Sequence, residues 1–99
     1  MRKHEEQDIQ TKVISYLHSI CFLPIKYNAI GYYAKSGIPD IICCSNTGRF
    51  VAIEMKKPGE KPRPLQKAYL DSINAINGVA FYATSLEEVK QNLKERGLI

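Results

Sequence analysis

Ninety-nine residues hold one compact domain, residues 1–99, and leave no room for a second. A hydrophobic fraction of 44% and a charged fraction of 24% are those of an ordinary globular protein, and no stretch approaches membrane-spanning length. The net charge of +4 and a sequence pI near 9.0 suit a polyanionic partner without requiring one.

The elements follow in chain order. From Glu6 to Ile20, the residues Ile9, Val13, Ile14, Leu17 and Ile20 recur at helical spacing, and the helix ends before Pro24. Ile25 to Ile30, rich in β-branched and aromatic residues, reads as a strand. Gly31 to Gly37 reads as a loop carrying Tyr32, Tyr33 and Lys35. Asp40 to Cys44 and Phe50 to Lys56 are two strands joined as a hairpin through the turn signal Asn46-Thr47-Gly48. The second of these is apolar on both faces for most of its length, as a central strand is.

Pro58, Gly59, Pro62 and Pro64 mark an exposed connection into a helix from Pro64 to Ile76. Asn77-Gly78 stops that helix, and Val79 to Ala83 is a short strand. Ser85 caps a last helix with Glu88 three residues on as a capping box, and the helix finishes at Gly97. The order αβββαβα predicts an α/β fold: a mixed β-sheet flanked by helices on both sides.

Glu54 is anomalous in this pattern, because it ends an apolar run where burial of an ordinary carboxylate is costly. Lys56 lies two residues on and projects from the same strand face. The hairpin brings Asp40, which follows Pro39, to the strand end holding Glu54 and Lys56. Two carboxylates suit a hard cation such as Mg²⁺, with the lysine near an attacking water or a phosphate. The bland alternative for an isolated E-x-K triplet is an exposed ion pair at a strand end. The spacing Gly37-x-Pro39-Asp40, a hairpin-length gap and E-x-K after an apolar run is more specific.

Gly37-Ile38-Pro39-Asp40, then Phe50-Val51-Ala52-Ile53-Glu54-Met55-Lys56, then a helix bearing Gln66 resemble the VRR-NUC domain. That is the virus-type replication-repair branch of the PD-(D/E)xK nuclease superfamily, and the resemblance runs from Glu6 to about Gly78. It implies a restriction-endonuclease-like core and a stand-alone phage or bacterial protein. It also implies Mg²⁺- or Mn²⁺-dependent cleavage of DNA, with branched substrates such as Holliday junctions or flaps. A first-helix glutamate, Glu6 with Glu5 one position off, would complete the metal set with Asp40 and Glu54. Gln66 matches the family's helix glutamine, and Lys56 its lysine. A homodimer is expected from the likeness to junction resolvases.

Lys35, Lys57, Lys61, Arg63 and Lys67 flank this set and are candidate phosphate contacts, and Tyr32 and Tyr33 are candidates to pack against sugar or an unstacked base. The bland readings are a solvated charged loop for Lys57 to Lys67 and an acidic first helical turn for Glu6. His4 and His18 have no partner motif. Cys21, Cys43 and Cys44 form no metal-ligand spacing and read as buried free thiols of a reducing compartment. With no apolar leader at the N-terminus, a cytoplasmic protein of a bacterium or a phage-infected host is expected. A non-catalytic nucleic-acid-binding module with the same fold is the alternative function, and a small protein-interaction domain the remaining one.

Overall fold

The computed structural model describes the backbone of residues 3–26 and 37–99 and the side chains of residues 7–25 and 37–99. The elements are α1 (Lys3–Ser19), β1 (Leu23–Lys26), β2 (Ile41–Cys44), β3 (Phe50–Met55), α2 (Pro64–Ala75), β4 (Val79–Ala83) and α3 (Leu86–Glu95). They follow the expected order. β1 begins two residues early, at Leu23, and carries Pro24 opposite Cys43. β1 is an edge strand of the sheet β1-β2-β3-β4, where a proline's missing donor is tolerated. The rest of the predicted strand, from Tyr27 to Ile30, lies outside the described residues, as do Tyr32, Tyr33 and Lys35.

β2 and β3 pair antiparallel with Ile41 opposite Ile53 and Cys44 opposite Phe50. The turn between them closes through the Ser45 N–H donating to Arg49 O at 2.8 Å, with Gly48 at φ +83°, where an L side chain is disfavoured. β4 runs parallel to β3, Glu54 beside Tyr82. The sheet is therefore mixed, and β3 is central.

Alternation along these strands builds two unequal layers. Ile41, Cys43, Val51, Ile53, Val79 and Phe81 face Val13 and Leu17 of α1 and Val89 and Leu93 of α3, forming the main core. On the opposite face the cluster is small: Ala52 and Ala80 meet Leu70 and Ile73 of α2. Two alanines let α2 approach the sheet closely over β3 and β4. The β1–β2 half of that face stays open, with Leu23 63% and Ile25 61% exposed and Phe50 also exposed.

The last helix starts as expected with Ser85 Oγ accepting from Glu88 N–H at 3.2 Å. The return half of the capping box lands one residue earlier, since Glu88 Oε1 accepts from Thr84 N–H and Oγ1 at 2.6 and 2.7 Å. The thiols depart from expectation: Cys43 is buried, but Cys21 and Cys44 are exposed. Cys44 projects onto the open sheet face by alternation, and Cys21 sits past the end of α1 at φ +65°. Burial pushes the Cys43 thiol up to about 11, so it stays protonated and inert.

Candidate active site

Strand pairing between β2 and β3 ends at Ile41–Ile53. One further step of the same register sets Asp40 opposite Glu54, so both carboxylates leave the same face at roughly 5 Å between Cβ atoms. Asp40 Oδ2 takes over where the ladder stops, accepting the Met55 N–H at 2.9 Å. This contact ties the carboxylate to the backbone of the very strand that bears Glu54.

Glu54 is only 4% exposed. Gln66 Nε2 donates to its Oε1 at 3.4 Å, while Gln66 Oε1 accepts the Arg63 N–H at 2.8 Å. Gln66, itself buried, thus links the start of α2 to the sheet. The glutamine was selected in the sequence only by family resemblance. Glu54 Oε2 is buried without a hydrogen-bond partner among the described residues. A buried carboxylate oxygen left unpaired is costly unless it is protonated or meets a cation. Burial, and then the adjacent Asp40 carboxylate, push the Glu54 carboxyl up to about 8, with the charges of Lys56 and Arg63 partly opposing the shift.

Lys56 is half-buried just beyond the end of β3, anchored by its N–H donating to Ala83 O at 2.9 Å. The reading of Glu54 as an exposed strand-end ion pair is excluded by its burial. The backbone of Glu6 lies near the start of α1, but its side chain and that of Glu5 lie outside those described. Among the described residues no group of three His, Cys, Asp or Glu side chains converges. The acidic centre there is the pair Asp40 and Glu54.

Of the predicted phosphate contacts, Lys61 and Arg63 are exposed and Lys57 half-buried. Lys67 is exposed as well, and its Nζ lies 2.7 Å from Asp71 Oδ2, one helical turn away, in an exposed pair of the weak i,i+4 kind. Arg63, expected as a phosphate contact, also adds its charge near Glu54. One neighbour of the site is not legible in the sequence. Tyr82 lies beside Glu54 on the neighbouring strand, and only the parallel register of β4 puts it there.

No helix among the described residues is long and apolar enough to cross a membrane. The family model of the VRR-NUC domain matches residues 31–86. A protein of Acyrthosiphon pisum secondary endosymbiont phage 1, named "Putative nuclease p44", is 32% identical over 66 residues, covering 67% of this chain and 68% of that one. A solved structure of a VRR-NUC domain superposes with a TM-score of 0.73 over 93% of this chain and 96% of its own, at 22% identity, a likeness of fold. The family match spans the Asp40 turn, the β2–β3 hairpin and the Gln66 helix, and the superposition spans nearly all of the sheet and its helices. The chain belongs to the VRR-NUC family of nuclease domains.

Proposed function

We propose that this protein is a metal-dependent DNA endonuclease that prefers branched or otherwise structured DNA. The observation that carries this reading is the pair of Asp40 and buried Glu54, with one glutamate oxygen lacking a hydrogen-bond partner among the described residues and a lysine beside it. A carboxylate pair with an orphaned oxygen is a donor set suited to Mg²⁺ or Mn²⁺. Asp40 and Glu54 would hold such an ion, and Glu6 is the family's candidate for a third ligand. A bound divalent ion supplies a Lewis acid for a phosphate oxygen and lowers the pKa of a coordinated water.

The chain's own groups do the remaining work. The Met55 N–H fixes the Asp40 carboxylate, and Gln66 fixes Glu54 Oε1, which leaves Oε2 as the oxygen available to a cation. Lys56 contributes positive charge where negative charge develops on the phosphate. Lys61 and Arg63 on the rim contact flanking phosphates without reading sequence, together with Lys57 and, on the segment outside the described residues, Lys35. A homodimer, in which two such sites act on two strands, is part of the same proposal. The exposed apolar β1–β2 face supports it by offering a surface for a second copy.

The test is a panel of labelled junction, flap, splayed-arm and linear duplex DNA incubated with Mg²⁺, Mn²⁺ or EDTA. Cleavage is expected with a divalent ion, absent with EDTA, and reduced on the order of 10²–10³-fold or more in Asp40→Asn and Glu54→Gln. DNA binding that ignores EDTA, with no cutting in any metal, would instead identify a binding module.

A further inference from the structure

A cavity of about 460 Å³ lies against β4, between α2 and the end of α3. A second, of about 380 Å³, lies under the loop around Gly59. Tyr82 and Lys61 line both, so the two form one groove passing across that pair. Volumes of this order accommodate a nucleoside-sized ligand. Tyr82 is 41% exposed although it stands in a strand, and its Cα partner is Glu54. Neighbouring strands lie roughly 4.8 Å apart, against about 3.4 Å per nucleotide in a stacked strand. The groove therefore begins about one nucleotide from the carboxylate pair.

Its charged lining is balanced, Lys61, Lys67 and Arg96 against Glu60, Asp71 and Glu88, but the charges are unevenly engaged. Asp71 is paired with Lys67, and the Glu88 carboxylate accepts from Thr84. Arg96 is held in place by Asn74 Oδ1 at 3.0 Å and lies over the Phe81 ring at 5.8 Å, with no carboxylate partner among the described residues. Lys61 stands exposed at the other end. The groove wall also offers a peptide edge. Ala83 O faces β3, accepting from Lys56 N–H, so alternation turns the Ala80, Tyr82 and Thr84 peptide groups outward. Asn74 takes both Ala80 groups at 2.8 and 2.9 Å, and Glu88 takes the Thr84 N–H. The Tyr82 N–H and C=O between them have no side-chain partner among the described residues. One free residue is too short for an added strand, but it fits the donor–acceptor edge of a base.

We propose that this groove receives an unpaired nucleotide adjoining the cut phosphate, its base stacked on Tyr82 and its backbone facing Lys61 and Arg96. The preferred substrate then carries a single-stranded segment immediately beside the cleavage point, on the β4 side of the site. The proposal rests on the nuclease reading above and adds a specificity-determining residue to it.

The experiment compares wild type, Tyr82→Phe, Tyr82→Leu and Tyr82→Ala on a linear duplex and a splayed arm that share the same sequence around the cut. Stacking is worth roughly 1–3 kcal/mol per base, or about 5- to 150-fold. Tyr82→Ala and Tyr82→Leu are expected to lower the splayed-arm-to-duplex rate ratio by that factor, while Tyr82→Phe keeps it. A binding assay in EDTA uses a single-stranded oligonucleotide carrying 2-aminopurine at successive positions. Quenching at one position by wild type and Tyr82→Phe, lost in Tyr82→Leu, supports the groove. An unchanged rate ratio in Tyr82→Leu, or no quenching at any position by wild type, overturns it. Wild type that quenches but cuts nothing would refute the nuclease reading and leave the groove standing. Wild type that cuts with a ratio indifferent to Tyr82 would do the reverse.

Discussion

Glu54 shows how much one residue reveals before and after folding. Its place after Phe50-Val51-Ala52-Ile53 marks it as anomalous, and the register with Asp40 follows from the turn signal. The orphaned Oε2 and the glutamine bridging Arg63 to Oε1 were not legible, because they depend on how closely α2 settles on Ala52 and Ala80. The raised Glu54 pKa carries a stability consequence in metal-free protein. The folded carboxyl ionises near 8 and the unfolded one near 4.5. Between those values the native state holds a proton that the unfolded state has released, so stability falls as pH rises through this window. Thermal melts in EDTA should show a lower Tm at pH 8.5 than at pH 5 from this group, and Glu54→Gln should flatten that slope. An equally steep slope in Glu54→Gln would show that the burial of this carboxyl is not its source. Gln66→Ala should leave the Arg63 N–H unpaired, costing about 1–3 kcal/mol in a denaturant titration. It should lower cleavage further than that loss of stability accounts for.

At the scale of elements, the hairpin, the Ser85 cap and the central strand are readable because each has a local signal of turn residues or alternation. β1 was less readable, since Pro24 counts against a strand until an edge position excuses it. The exposure of Cys44 is illegible for a related reason: apolar runs do not say which face of a strand is covered. Gly37 shows how elements are locked together ahead of Asp40. It adopts φ +88°, and a Cβ there would lie 2.8 Å from Leu65 Cγ, 3.1 Å from Leu65 O and 3.1 Å from Tyr69 Cδ2. The turn before Asp40 is thereby pressed against the first turns of α2, the same turns that carry Gln66. Gly37→Ala should destabilise by about 1–3 kcal/mol through both clash and backbone strain, measured by chemical denaturation. Because the turn bears Asp40, the variant's cleavage rate should also fall under conditions where it remains folded.

For the molecule as a whole, the sequence predicted helices on both faces of the sheet but not how unequally they cover it. α1 and α3 together bury one face, whereas α2 shields only the β3–β4 half of the other. Coverage of this kind depends on helix placement, which amphipathic periodicity does not encode. The open half, with Leu23, Ile25 and Phe50 exposed, is where a second copy is proposed to sit. Ile25→Glu should shift sedimentation at micromolar concentration from dimer to monomer while the melting temperature stays close to that of the monomer. A wild-type protein that sediments only as monomer would remove the dimer from the proposal. Basic rim contacts further predict that DNA affinity falls steeply with salt, by a log–log slope that drops about one unit for each phosphate-contacting lysine or arginine removed.

The bidentate hold of Asn74 on Ala80 has a consequence for assembly. A sheet with two bare edges is an open-ended template that recruits copies without limit. Here the side-chain amide of α2 plays the part of a fifth strand for one residue, and Glu88 blocks the Thr84 amide, which leaves only Tyr82 free between them. Growth along the β4 side is terminated, and any pairing through β1 joins two molecules whose far edges are both stoppered. Assembly by strand addition would then close at two copies rather than run on as a fibre. Asn74→Ala, by removing that stopper, should make the protein prone to concentration-dependent polymerisation that light scattering detects.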